Sequence, residues 1–170
     1  MIELLVVIVI LGILSVIGLG SFSSSQMKAR DSKRKTDLRA ISDALEVYYN
    51  DFGNYPLADG TGFMQGCGAD GEQVCTAGTI WQTDNGTTYM VQIPEDPSGG
   101  KYYYLASPTG SHFQLYAHLE NDRDRDVPKD LNDEPLSYAN PEAEEGSNAC
   151  IIGDCNYAKT STNIDAGATF

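Results

Sequence analysis

The chain begins with Met1-Ile2-Glu3-Leu4-Leu5-Val6-Val7-Ile8-Val9-Ile10-Leu11-Gly12-Ile13-Leu14. The apolar run continues to Leu19, and Glu3 is its one charged residue. A helix of about 20 apolar residues matches the roughly 30 Å hydrocarbon core of a bilayer. A carboxylate in such surroundings is costly unless it is paired, which makes an ionisable residue there a candidate for function. The stretch predicts an apolar helix in which Glu3 has a specific partner.

This stretch resembles the N-terminal helix of type IV pilins and type II secretion pseudopilins, which carry a lone glutamate near the start of an apolar run. In that family the glutamate is the fifth mature residue, after a prepilin peptidase removes a leader and the new amine is methylated. Because Glu3 is third here, we expect that a leader and about two mature residues precede Met1. The resemblance implies that Glu3 pairs with the N-terminal amine of a neighbouring subunit. The alternative is a solvated Glu3 at the level of the lipid headgroups.

Three glycines interrupt this first helix, namely Gly12, Gly18 and Gly20. Each glycine weakens a helix by about 1 kcal/mol relative to alanine. The sequence therefore predicts that this part of the helix melts locally in a packed filament. The alternative is that the small residues allow close contact between helices in a membrane.

The pattern becomes amphipathic from Met27 onward. Apolar residues recur at spacings of three and four, which places one stripe of the helix against a core: Leu38, Ile41, Leu45, Tyr48 and Phe52. Gly53 and Pro56 predict the end of the helix. The segment 44–56 also resembles the helix exit of pilins and major pseudopilins.

The resemblance implies an α+β fold, in which a long N-terminal helix packs against a small antiparallel β-sheet head, as in the type IV pilin fold. We divide the chain into a hydrophobic transmembrane or filament-core helix at 1–25, an amphipathic helix at 26–53, and a globular extracellular head at 54–170. The head is expected to contain the sheet, disulfide loops and an acidic loop.

Two strands are predicted at Tyr102–Ala106 and His112–Leu119, joined by a turn that contains proline and glycine. Alternation along the second strand predicts that one of its faces packs on the helix. Tyr89–Ile93 is a third candidate strand. The tail from Tyr138 is predicted to be mostly loop.

Charge is distributed unevenly along the chain, whose net charge is -13. Up to Phe52 basic and acidic residues balance, so the net charge belongs to the head. This asymmetry suggests that the basic residues Lys33 to Lys35 face carboxylates of a neighbouring subunit in a staggered stack. A solvated helix face, or attraction to lipid headgroups, is the alternative.

Four cysteines lie in the head: Cys67, Cys75, Cys150 and Cys155. In an exported head an even number indicates disulfides, and the short spacings favour Cys67 with Cys75 and Cys150 with Cys155 among three possible pairings. Zinc is the rival interpretation, although the spacings depart from those of zinc fingers and no histidine is near.

The acidic loop, residues 121–134, is the best ligand candidate in the chain. Its carboxylates are spaced as in a calcium loop: Asp122, Asp124, Asp126, Asp130 and Asp133. Val127 replaces the expected glycine, and an aspartate replaces the closing glutamate, so the pattern is partial. The loop also resembles the calcium loop of major pseudopilins. The alternative is a solvated acidic loop balanced by Arg123 and Arg125.

Asn85-Gly86-Thr87 is a glycosylation sequon, which would suit an exposed head. The sequence contains no phosphate-binding loop, nucleophile elbow or histidine-based catalytic signature, so we predict a protein that is not an enzyme. No nucleic-acid site is evident.

We expect a major pilin that polymerises with itself into a type IV pilus-like filament. It would lie in the inner membrane before assembly and outside the cell afterwards, with the assembly machinery as a partner. The first alternative is a major pseudopilin of a type II secretion system. The second is a monomeric, membrane-anchored calcium-binding surface protein.

Overall fold

The computed structural model describes residues 2–68, 71–83, 86–138, 155–162 and 164–165, with their side chains except at 14–21. Within them, one long helix is followed by five short strands: α1 (Ile2–Phe52), β1 (Trp81–Gln82), β2 (Thr88–Met90), β3 (Tyr103–Ala106), β4 (Phe113–Ala117) and β5 (Tyr157–Thr160). Strands β1 and β2 form one antiparallel sheet, and β3, β4 and β5 form another with β4 in the centre. The predicted α+β architecture, a long helix packed against small antiparallel sheets, is confirmed.

The helix ends where the sequence predicts. Gly53 has a φ of 74°, and its N–H donates to the carbonyl oxygen of Tyr49 at 2.7 Å. Glycine takes this left-handed conformation without the steric cost that a Cβ would bring, and it thereby caps the last turn. The chain then turns back towards the sheet.

The core lies between the second half of α1 and the central strand β4. Leu38, Leu45 and Phe113 are fully buried in one cluster, and Trp81 is buried in the same cluster. Phe52 departs from the prediction, because it is 42% exposed. As the last residue of α1, it packs on Tyr48, with 4.4 Å between ring centroids, at the edge of the aromatic group.

The predicted hairpin is confirmed, with Tyr103 opposite Tyr116 and Ala106 opposite Phe113. The prediction of one packed face on β4 is incomplete, since Gln114 and Tyr116 on the other face are buried as well.

A second layer covers that face. Tyr103, Tyr116 and Cys155 form a small buried cluster against which Tyr138 packs. Strand β5 also pairs with the free edge of β4, although the tail was predicted to be mostly loop. The tail therefore completes the sheet.

The hairpin turn is attached to the end of the helix at Gly110. The N–H of Tyr55 donates to the carbonyl oxygen of Gly110 at 2.7 Å. Gly110 has a φ of 64°, and a Cβ there would lie 2.6 Å from the carbonyl oxygen of Tyr55. Close approach of two backbones requires glycine here, and it fixes the sheet relative to α1.

Candidate functional site, an apolar rod and its ionic junction with the head

The first three turns of α1, residues 2–13, form an apolar rod that is exposed on every face. Twelve consecutive exposed residues cover the whole circumference of a helix, because one turn takes about 3.6 residues. Its aliphatic side chains are all large and exposed: Ile2, Leu4, Leu5, Val6, Val7, Ile8, Val9, Ile10, Leu11 and Ile13. A helix that is apolar all round is built to be buried by its surroundings. The rod is therefore the surface most in need of an apolar environment.

Glu3 lies in the first turn of this rod and is exposed. Gly12 is helical, and a Cβ added to it would meet nothing within 4 Å. Gly18 and Gly20 belong to the part of α1 whose side-chain surroundings the structure does not describe, and their backbone is helical. Pairing of Glu3 and melting at the glycines both concern an assembled state, and they stay predictions.

No helix in the described part of the structure combines the length and the apolar character that a membrane crossing requires.

Beyond the rod, α1 is joined to the head by an ionic junction formed by Asp31, Arg34, Asp96 and Glu120. Arg34 is its centre, with a side chain only 2% exposed. Its Nε and Nη2 donate to the two carboxylate oxygens of Asp96 at 2.6 and 3.0 Å, and its Nη1 donates to Asp31 at 2.7 Å. Nη2 also lies 2.8 Å from Oε1 of Glu120. Arg34 is therefore held by three carboxylates, one on α1 and two on the head.

Asp31 connects the helix to the head by a second route. Its two carboxylate oxygens accept the backbone N–H groups of Glu120 and Asn121, each at 2.9 Å. Hydrogen bonds to an ionised acceptor are stronger than neutral ones. One turn of α1 thus fixes the backbone at the start of the acidic loop.

The junction shifts the pKa values of Glu120, Asp96 and Arg34. A hydrogen bond from Arg30, reinforced by Arg34, lowers the pKa of Glu120 to about 2. Burial alone would raise the pKa of Asp96, but hydrogen bonds from Arg34 and from the N–H of Ser98 outweigh it and lower that pKa. Burial would lower the pKa of Arg34, yet its contacts with Asp96 and Glu120 raise it. These groups are therefore all charged at neutral pH.

Lys35, one residue further along α1, contacts the acidic loop. Its Nζ lies 2.5 Å from Asp124 and 2.6 Å from Asp126. The prediction that Lys33 to Lys35 face carboxylates of a neighbour is therefore wrong for Arg34 and Lys35, which pair within their own chain. Lys33 makes an i, i+4 pair with Asp37 at 3.0 Å.

The five predicted calcium ligands are distributed along the loop. Asp122 is exposed, and Asp124 and Asp126 share Lys35. Asp130 accepts the N–H groups of Asn132 and Glu134, and Asp133 pairs with Lys129 at 2.8 Å. Among the residues that the structure describes, no three acidic, histidine or cysteine side chains are grouped to hold a metal ion. Calcium binding stays a prediction.

The predicted disulfide between Cys67 and Cys75 is confirmed, with 5.2 Å between the Cα atoms. Beside it, the indole N–H of Trp81 donates to the carbonyl oxygen of Gly66 at 3.0 Å. A disulfide at this position leaves no thiolate for zinc. Cys155 is also disulfide-bonded, whereas Cys150 and Asn85 lie outside the described residues.

The sequence predicts that Lys33 to Lys35 face a neighbouring subunit, a solvated surface or lipid headgroups, and this prediction missed the ionic junction. A signal was present, because Asp31 and Arg34 precede Leu38 by seven and four residues. Positions at these spacings lie on the same face of a helix. The buried stripe of α1 therefore extends beyond its apolar members into a charged part.

Comparison with known proteins shows the family. A family profile described as "Type II secretion system (T2SS), protein G" matches residues 21–124, well over half of the chain. This chain belongs to the type II secretion system protein G family. The matched region includes both sides of the ionic junction, from Asp31 to Glu120. It ends at Asp124, before three of the five predicted calcium ligands.

Individual relatives agree with the profile, and all three are named "Type II secretion system core protein G". The relative from Pseudomonas aeruginosa is 34% identical over 117 residues, which cover 69% of this chain and 78% of the relative. The relative from Vibrio cholerae is 33% identical over 108 residues, covering 62% of this chain and 68% of the relative. The relative from Klebsiella michiganensis is 32% identical over 117 residues, covering 68% of this chain and 75% of the relative. No solved structure matches the chain.

Membership of the protein G family confirms the resemblance to pilin-like proteins and identifies a structural subunit rather than an enzyme. It also decides between two predictions. The comparisons support the alternative, a major pseudopilin of a type II secretion system, better than the expected pilus subunit.

Proposed function

We propose that this chain is the repeating structural subunit of a type II secretion pseudopilus. The observation that carries the proposal is the apolar rod, exposed on every face in a chain of the protein G family. Burial of aliphatic surface stabilises an assembly by roughly 25 cal/mol per Å². Neighbouring rods that pack side by side along a filament axis bury that surface, while the heads face outward.

Glu3 supplies the register of this assembly. A carboxylate between apolar helices is strongly unfavourable without a cation, and breaking such a pair costs about 3–5 kcal/mol. The N-terminal amine of a neighbouring mature subunit is a cation that approaches at the same depth in the bundle. Subunits in the correct axial position satisfy Glu3, and other positions leave it unpaired.

The ionic junction gives the rod a defined position relative to the head. Arg34 and Asp31 connect α1 to segments of the head that lie some sixty and ninety residues further along the chain. Displacement of the rod during assembly is therefore transmitted to the head. A subunit that is pushed outward moves as one body, which suits a filament that acts on secreted proteins.

We place the subunit in the inner membrane before assembly and in a periplasmic filament afterwards. The apolar run at the start of the sequence and membership of a secretion-system family support this location. A periplasmic filament replaces the extracellular pilus expected at first. The partners in this proposal are further copies of the chain, the secretion machinery and a prepilin peptidase.

Substitution of Glu3 tests the proposal. Glu3→Gln removes the charge at nearly constant volume, and the exposed Asp43→Asn provides a matched control in the second half of α1. We expect Glu3→Gln to abolish filaments in electron micrographs and to leave the membrane-bound amount and the melting temperature of the head unchanged. Asp43→Asn should assemble normally. Normal filaments from Glu3→Gln would contradict the role of Glu3, and a chain that never forms filaments would contradict the proposal itself.

A further inference from the structure

Lys35 lies at the point where the carboxylates of the acidic loop converge. Its Nζ is within 2.5 Å of Asp124 Oδ1 and 2.6 Å of Asp126 Oδ2, so two of the three ammonium hydrogens have carboxylate acceptors. The ammonium also lies 5.7 Å from the centroid of the Tyr157 ring on β5. Carboxylates on one side and an aromatic face on another provide a complete environment for a cation.

The loop keeps its shape through its own hydrogen bonds. The N–H of Asp124 donates to the carbonyl oxygen of Asn121 at 2.9 Å, and the N–H of Asp126 donates to the side chain of Asp124 at 3.0 Å. Val127, at the position where a calcium loop has glycine, is buried. Hydrogen bonds within the loop therefore hold the turn that presents the two carboxylates.

The remaining predicted ligands have other roles in the loop. Calcium takes about 6–8 oxygen ligands at roughly 2.3–2.6 Å. Oδ1 of Asp130 accepts two backbone N–H groups, its Oδ2 accepts the side-chain amide of Asn132, and Asp133 pairs with Lys129. A calcium ion bound to the same two carboxylates would lie close to the Lys35 ammonium, and two cations at so short a distance repel each other. The arrangement of this loop does not fit the metal that the resemblance implies.

We propose that the Lys35 ammonium is the resident counter-ion of the acidic loop, in the position that a divalent cation would need. A cation tethered to the protein does not depend on the concentration of a free ligand. The loop is therefore ordered at any calcium concentration. Asp31 and Lys35, one helical turn apart, hold the start and the middle of the same loop against α1.

The test is the thermal unfolding of the full chain in detergent, followed by the fluorescence of Trp81, the one tryptophan, which is buried in the head. Melting is measured with millimolar calcium chloride and with EGTA. We expect the two melting temperatures of the wild-type protein to agree within about 1 °C. A wild-type melting temperature that falls by about 5 °C or more in EGTA would overturn the proposal.

Lys35→Met tests the ammonium itself and keeps most of the aliphatic stem. In EGTA we expect it to melt about 5 °C or more below the wild type. Lys33→Met is the matched control, because within the described residues the ion pair of Lys33 is an exposed i, i+4 contact, and the variant should shift melting far less. Equal shifts in the two variants would overturn the proposal. If Lys35→Met fails to fold, Lys35→Arg keeps the charge and should retain the wild-type indifference to EGTA, while a calcium-dependent Lys35→Arg would count against it.

Discussion

The two halves of α1 share a helical backbone but differ in which side chains they bury. Residues 2–13 expose aliphatic side chains on every face, whereas the second half buries one stripe that contains Leu38, Leu45 and the charged Arg34. A large exposed aliphatic surface marks a site of interaction with other molecules, whereas a buried charge is stable only when it is paired within the protein. The difference indicates that the second half fixes the helix in its own head and leaves the first half for other molecules.

Removal of Arg34 should have the largest effect on the fixed half. Arg34→Met leaves Asp31 and Asp96 buried without their cation, so we expect the free energy of unfolding to fall by about 3–5 kcal/mol. Denaturant titration followed by Trp81 fluorescence measures this change. Lys33→Met, which breaks an exposed pair, should cost less than about 0.5 kcal/mol. Similar losses for both variants would mean that the junction does not stabilise the head.

Two leucines on the same helix allow the halves to be compared directly. Leu45 is fully buried, and Leu5 is 60% exposed. We expect Leu45→Ala to lower the free energy of unfolding of the head by about 3 kcal/mol and Leu5→Ala to change it by less than about 0.5 kcal/mol. We expect Leu5→Ala to lower the filament yield, because it removes apolar surface from the rod without affecting the fold of the head. A destabilised head in Leu5→Ala would contradict the division of α1.

Acid should weaken the junction by a smaller amount. The pKa of Glu120 is lowered to about 2 from 4.5, so the unfolded chain binds a proton more readily than the folded one. The resulting stability is present above about pH 4.5 and is lost as pH falls through about 2. Solvent screens the ion pair of Glu120 and Arg30, because both side chains are partly exposed. We therefore expect the free energy of unfolding to fall by about 1 kcal/mol.

The pH dependence of unfolding in Glu120→Gln isolates this contribution from that of other carboxylates. The variant should lose part of the wild-type slope between pH 4.5 and 2. The exposed Glu95→Gln serves as the control and should retain the slope. Indistinguishable slopes for the wild type and Glu120→Gln would show that the pair does not stabilise the folded state.

Local patterns were sufficient to predict several parts of the fold. The end of α1 at Gly53, the hairpin around Gly110 and the Cys67–Cys75 disulfide each depend on residues close together in the sequence. Turn chemistry, helix capping and short cysteine spacing act over a few residues, so a single sequence contains the relevant information. The apolar rod is equally local.

Contacts between distant residues were not predictable in the same way. Arg34 meets Asp96 across 62 residues, and β5 pairs with β4 from a tail that is poor in large apolar residues. The sequence gives each charge many possible partners, and the packing of the head selects among them. The charged part of the buried stripe was detectable by its helical spacing, but the identity of its partners was not.

The central claim is that the rod of one subunit is buried by the rods of its neighbours. A structure of the assembled filament by electron cryomicroscopy tests this most directly. We predict that residues 2–13 lie in the filament core, with the Glu3 carboxylate within ion-pair distance of the N-terminal amine of an adjacent copy and the Arg34 junction intact in every head. Filaments in which the rods lie on the outside, or in which Glu3 faces solvent, would contradict the account.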